Sequence, residues 1–231
     1  MRFLSLILGG LLLSTALPAL AQTSAEAPAA PRFYIGLGVY SSYYQRIGGY
    51  SRYANPGLRL PVQLMAGYQL HPRVAVQVGV AYSGGTSHYA ESTMYQNANT
   101  GPSASYYTLD GNYTQRQVSV SALARYTLTA NPTHRLQFDA LGGFTLERSN
   151  SNSRGTQTNY ASGSVASTSD YSFGYAQNNL LLTAGVGARY RLSQHFELTY
   201  DFTVNKALSG YGYDHGVTTS SALGLRYRFG R

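Results

Sequence analysis

Side chains able to do covalent chemistry are sparse in this sequence. His88, Glu91 and Ser92 stand close together, and Asp214 directly precedes His215. An imidazole, a carboxylate and a hydroxyl are the parts of an acyl-transfer site, in which the histidine deprotonates the hydroxyl and the acid orients the histidine. Neither group has a spacing specific to catalysis, and a histidine in a long polar segment is more often simply solvated. Cysteine is absent, which removes disulfides, thiolate zinc sites, iron-sulfur clusters and cysteine nucleophiles. No catalytic residue, metal or cofactor is assigned from these residue types.

A second set offers ion pairing: Arg125, Asp139, Arg189, Arg191, Glu197, Asp201 and Arg226, each an isolated charge among small or apolar neighbours. Charged residues make up only 11% of the 231-residue chain, against about 25% in a typical soluble domain. Lysine plus arginine exceed aspartate plus glutamate by 17 to 9, and every cation but Lys206 is an arginine. The arginines are scattered singly and form no basic run, which argues against a nucleic-acid partner. The 22 tyrosines and the lack of tryptophan suit a surface half apolar and half wet.

The elements that must position those charges show in a period-two alternation of apolar and small polar residues that recurs along the chain. It predicts eight strands, at about 32–42, 58–70, 74–83, 113–128, 135–148, 179–192, 196–205 and 218–229. The third is clearest: Val74, Val76, Val78, Val80 and Tyr82 alternate with Ala75, Gln77, Gly79, Ala81 and Ser83.

Alternation alone fits a soluble sandwich or a lipocalin-like barrel as well as a membrane barrel. Strand length favours the bilayer, because soluble strands average about five or six residues and a tilted membrane strand needs about nine to eleven. The polar rows carry Gly, Ser, Thr, Gln and Ala rather than the Lys and Glu of a water-facing sheet. The apolar rows end in aromatics, among them Tyr68, Tyr126, Tyr190, Tyr227 and Phe229, as at a membrane interface. If the apolar rows face lipid, Val78→Arg should cost roughly 2 to 4 kcal/mol near the bilayer midplane, and Gln77→Arg should be better tolerated in terms of lipid exposure.

The connections alternate strictly between short and long. Residues 71–73, 129–134 and 193–195 are tight turns, and between them lie 43–57, 84–112, 149–178 and 206–217 as long loops. Short turns on one side and long loops on the other form the outer-membrane pattern, with the loops extracellular. Residues 1–21 read as a cleaved signal peptide: Arg2, an apolar stretch from Phe3 to Leu13, then Ala19-Leu20-Ala21 before Gln22. An Ala/Pro-rich linker follows at 22–31, and the barrel domain is expected over 32–229. No later segment has the roughly 18 to 20 consecutive apolar residues of a transmembrane helix.

Where strands descend into the short turns, a weak repeat appears: Ala124-Arg125-Tyr126-Thr127-Leu128, Ala188-Arg189-Tyr190-Arg191-Leu192 and Leu225-Arg226-Tyr227-Arg228-Phe229. By this alternation and its C-terminal strand, the chain resembles the small eight-stranded outer-membrane β-barrel proteins of the OmpA/OmpX type, within the porin-like superfamily, over about residues 32–229. The resemblance implies an all-β, antiparallel up-and-down transmembrane barrel, outer-membrane lipid as its surroundings, and recognition of the last strand by the barrel-assembly machinery. Leu225, Tyr227 and Phe229 match that terminal pattern, with Gly230 and Arg231 departing from it. Some barrels of this size modify lipid A, but the deacylase His-x-Ser pattern is absent here.

In such a barrel the isolated charges must point into the lumen and pair, because an uncompensated charge in a low-dielectric interior costs several kcal/mol or more. Counting from the turns sets Arg191 opposite Glu197, Asp201 diagonal to Arg189 and near Arg226, and Arg125 near Asp139. A structural plug is the favoured reading and a narrow solute pathway the alternative, since eight strands leave an interior just wide enough for side chains. The long loops are rich in Ser, Asn, Gly and Tyr, including Tyr43, Tyr44, Tyr50, Tyr53, Tyr106, Tyr107, Tyr171 and Tyr175. That composition fits either adaptable contact with an extracellular ligand or surface, or hydrophilic segments without fixed structure or partner.

Overall fold

A computed structural model describes residues 32–43, 45, 47, 60–95, 105–131, 134–161, 163–210 and 216–230. The signal-peptide and linker assignments, together with Tyr44, Tyr50, Tyr53, Asp214 and His215, lie outside the described residues. Eight strands follow in chain order: β1 (Phe33–Ser42), β2 (Val62–His71), β3 (Val74–Tyr95), β4 (Ser105–Thr127), β5 (Leu136–Ala161), β6 (Ser164–Arg191), β7 (Phe196–Gly210) and β8 (Val217–Phe229). Each pairs antiparallel with its neighbour in sequence, and β1 closes the ring on β8 through the ladder from Phe33↔Phe229 to Ser42↔Ser220. Closure leaves no sheet edge in the ring, as hydrocarbon requires of any strand protein that spans it.

Burial is inverted relative to a soluble barrel. Leu64, Leu37 and Val78 are 62%, 57% and 52% exposed, while Asp139 and Arg226 are 0% and 1% exposed. The apolar rows therefore point outward and the polar rows fill the axis. Tyr68, Tyr126 and Tyr190 sit near the strand ends that meet the short turns, and Tyr227 and Phe229 near the end of β8 on the same side of the ring. Phe33 lies against Tyr68 and Phe229 with ring centroids 4.8 and 6.0 Å apart, and Phe196 against Tyr227 at 5.2 Å, so part of this belt is a continuous aromatic cluster across the β1–β8 seam.

Two of the segments expected to be loops are largely strand. β3 and β4 run to 22 and 23 residues, and β5 and β6 to 26 and 28, where about nine to eleven span the bilayer. The β4–β5 ladder is unbroken from Thr127↔Asp139 to Tyr106↔Tyr160. The four strands therefore continue beyond the ring as one sheet on the side of the long connections. Residues 149–161 and 164–178 form a hairpin closed by the Ala161↔Ser164 pair, with Gly163 at φ 78° in the left-handed region. Alternation could not reveal this extension, because polar residues occupy both of its faces. The barrel beneath sets the register, and Thr and Tyr suit a pleated surface. Side-chain contacts run up it: Thr86 to Thr114 at 2.9 Å, Tyr113 to Ser151 at 3.1 Å, Tyr89 to Ser153 at 2.6 Å, and stacked Tyr106 and Tyr160 rings 4.5 Å apart.

Candidate functional site: the charged lumen

Asp139 on β5, Gly187 on β6 and Asp201 on β7 share one rung of the sheet, through the pairs Asp139↔Gly187 and Gly187↔Asp201. Two carboxylates thus flank a residue with no side chain, and the guanidinium of Arg125, reaching in from β4, occupies the gap. Its Nη1 and Nη2 donate to Asp201 at 2.8 and 2.9 Å, and Nη2 also meets Asp139 Oδ2 at 2.9 Å. A Cβ on Gly187 would stand 2.6 Å from Asp201 Oδ1 and 2.7 Å from Arg125 Nη2. The small residue at 187 is therefore what leaves room for the ion pair.

Arg189 completes the cluster from the other side. Its Nε lies 2.7 Å from Asp139 Oδ2, and its Nη2 donates to Asp139 Oδ1 at 2.8 Å and to Thr127 Oγ1 at 2.7 Å. Arg226, 1% exposed, comes no nearer than 3.8 Å to Asp201. It donates instead to Gln77 Oε1 at 2.6 Å, and its guanidinium carbon lies 4.7 Å from the centroid of the Tyr34 ring, close enough for a cation–π attraction. Tyr34 in turn lies over Gly67, its cross-strand partner, where a Cβ would collide with the ring. Gln77 Oε1 also accepts from Arg125 Nη1 at 3.1 Å and from Tyr34 Oη at 3.3 Å.

The structure brings Arg125, Asp139, Arg189, Asp201 and Arg226 together, but not always with the partners that counting from the turns selects. Glu197 has Arg191 opposite it on β6 and Arg226 opposite it on β8. Arg228 approaches its carboxylate at 3.0 Å and Arg189 at 4.0 Å. The closest partner of Asp201 is Arg125 at 2.8 Å, three strands away around the ring, a contact that hairpin counting cannot reach because it crosses the lumen. Gln77, Tyr34 and Arg228 also belong to the cluster. Their signal in the sequence was only membership of a polar row.

Gln77 faces the lumen as expected, so lipid exposure is not what limits a substitution there. Its carbonyl oxygen already receives two guanidiniums, so Gln77→Arg would bring a third cation against Arg125 and Arg226 and is not a mild substitution. A void of about 10 Å³ lies between Tyr34, Arg125, Arg189, Glu197, Arg226 and Arg228, at or below the space one water needs.

A second polar layer lies further along the lumen. Glu147 is 2% exposed. Its Oε1 accepts from Ser119 at 3.2 Å and Tyr40 at 3.3 Å, and its Oε2 has no hydrogen-bond partner among the described residues. Gln45, beyond the end of β1, folds inward and donates to Ser119 Oγ at 3.0 Å and to the Ala81 carbonyl at 3.4 Å.

Of the residues considered for acyl transfer, the three that are described, His88, Glu91 and Ser92, do not assemble. His88 and Ser92 lie on the outward face of β3 and Glu91 on the opposite face, since side chains alternate along a strand. The acid near His88 is Asp110 on β4, at 3.8 Å, with both side chains well exposed.

A closed eight-stranded ring with an apolar exterior and an ion-paired axis defines the class of small transmembrane β-barrels. The chain matches the outer membrane protein beta-barrel domain family over residues 10–229; it belongs to that family and is a protein of the bacterial outer membrane. Among solved structures it is similar to Ail, the attachment invasion locus protein of Yersinia pestis, at 14% identity and TM-score 0.44, covering 87% of this chain and 100% of that one. A major outer membrane protein of Thermus thermophilus gives 15% identity and TM-score 0.48, with coverage of 87% and 100%. OprG of Pseudomonas aeruginosa gives 13% and 0.42, with coverage of 87% and 97%. No curated protein matches the sequence.

Proposed function

We propose that this protein is a non-enzymatic outer-membrane scaffold, its lumen sealed by the arginine–carboxylate cluster, that presents the β3–β6 extension for contact with an extracellular ligand or surface. The observation that carries the sealed lumen is the Arg125 clamp: one guanidinium holds carboxylates on β5 and β7 and leaves a void of about 10 Å³ around the cluster. A solute would have to break at least two buried, charge-assisted contacts to pass, and each is strong in a low-dielectric interior. A non-enzymatic role is supported by the separation of His88 and Ser92 from Glu91 across the sheet.

The surface role is supported by the ordering of the extension. A paired sheet with tyrosines held by Ser153, Ser151 and Tyr171 presents a shaped surface, and binding to it costs less conformational entropy than binding to loose loops. Planar-bilayer recording of the refolded protein tests the seal. Silence in the wild type and steps in Asp201→Ala are expected, and steady wild-type conductance would replace this reading with that of a narrow channel. Adhesion of cells carrying the intact chain, compared with cells whose β5–β6 hairpin has been shortened, tests the surface role. Lipid A incubated with the pure protein should come back with its acyl chains unchanged.

A further inference from the structure

We propose that the outward face of the β4–β5 extension binds the phosphorylated headgroup of an outer-leaflet glycolipid, through Arg116, Arg148 and Arg154. This goes beyond the scaffold role and does not depend on the lumen being sealed.

The three arginines lie on the face that, lower in the same strands, carries the lipid-facing apolar rows. Arg148 on β5 stands opposite Val118 on β4, which stands opposite Tyr82 on β3, so the first cation lies on the last apolar rung. Arg116, paired with Asn150, is one rung further out, and Arg154, paired with Asn112, is two rungs beyond that. All three are exposed, and none makes an ion pair or side-chain hydrogen bond among the described residues. Between Arg116 and Arg154 lies an open groove of about 360 Å³, whose other walls are Asn112, Thr114, Asn150 and Asn152. Among the described residues of this face of β4–β6, the carboxylates lie past the arginines: Asp110 and Asp170 both stand opposite Thr156, one rung beyond Arg154.

An exposed guanidinium presents a fork of donors that matches phosphate oxygens in pairs, and the asparagine amides add neutral donors for hydroxyls. The spacing selects the headgroup. From Arg148 to Arg154 the strand runs about 20 Å at roughly 3.4 Å per residue, which at a barrel tilt of about 40° is a climb of about 15 Å, whereas the polar region of an ordinary phospholipid leaflet is only about 6 Å thick. A ladder of that height, starting at the hydrocarbon edge, fits a lipid whose phosphates are carried on an extended saccharide.

The test uses the full chain refolded into phosphatidylcholine vesicles containing a minor fraction of lipopolysaccharide, extracted with mild detergent, with retained lipopolysaccharide quantified per barrel. Wild type should retain lipopolysaccharide well above its bulk fraction. The R116Q/R148Q/R154Q variant should retain roughly eightfold less, the loss expected if each arginine contributes about twofold. Dephosphorylated lipopolysaccharide should not be enriched. Unchanged retention in the variant, or equal retention of the dephosphorylated lipid, overturns the proposal. So does arginine-dependent binding of soluble heparin without lipopolysaccharide enrichment, which would assign the face to an extracellular glycan. Heat-modifiable gel mobility reports folding. If the triple variant does not fold, R116Q and R154Q read singly decide the matter, a loss of about twofold in each supporting the site and no loss overturning it.

Discussion

Arg125 on β4 and Asp201 on β7 meet across the lumen through paired N–H···O bonds of 2.8 and 2.9 Å. Both side chains are almost completely buried, so removing one partner leaves the other uncompensated in low dielectric. Asp201→Ala should destabilise the folded barrel by about 3 to 5 kcal/mol, the usual penalty for breaking a buried pair from one side. Urea unfolding of the protein in vesicles, followed by tyrosine fluorescence, measures this. A penalty below about 1 kcal/mol, the range of a surface pair, would show that the cluster is solvated.

Gly187 makes a sharper test, because it touches the ion pair without being charged. Gly187→Val would force its side chain between Asp201 and Arg125 and should cost about 1 to 3 kcal/mol or more, as overpacking does. Gly142→Ala is the paired control, since a Cβ there meets nothing within 4 Å. Equal unfolding midpoints for the two variants would exclude a close-packed cluster at Gly187.

Val78, 52% exposed in the middle of its apolar row, faces hydrocarbon. Val78→Arg should cost about 2 to 4 kcal/mol. Ala90→Arg lies on the same outward face of β3 but beyond the apolar rows and should cost about 0 to 1 kcal/mol, as substitutions near or past the interface do. Refolding yield and unfolding midpoint in vesicles report both, and the depth dependence is the diagnostic result.

The β5–β6 extension should be separable from the barrel. Replacing residues 153–173 by Asn-Gly joins Asn152 to Gly174, which already face each other, through a two-residue hairpin turn of the favoured type. None of the contacts to Asp139, Asp201 or Glu197 lies in the removed segment, so heat-modifiable mobility should persist with an unfolding midpoint close to wild type. Loss of folding would mean that the extension helps to nucleate the ring.

The sequence was sufficient for the transmembrane barrel because side-chain alternation in a strand is strictly two-residue, and a bilayer demands that one face be apolar over a fixed length. The rows holding Val78 and Leu64 show this directly, and the positions of Tyr190 and Tyr227 follow from the same counting. Where both faces are polar, as in 151–161, alternation carries no information, and only the templating ladder of the barrel reveals strand there.

The partners within the lumen were the least legible part. Cross-strand counting finds neighbours along the wall, such as Arg125 and Asp139, but a guanidinium on a long side chain can cross the axis. Arg125 reaches Asp201, and Arg228, which is not directly opposite Glu197, comes within 3.0 Å of it. Those choices depend on the barrel's diameter, on the vacancy at Gly187 and on the rise of each side chain, which exist only once eight strands have closed into a ring. Composition and periodicity determined which face meets lipid; closure of the ring decided which charges meet each other.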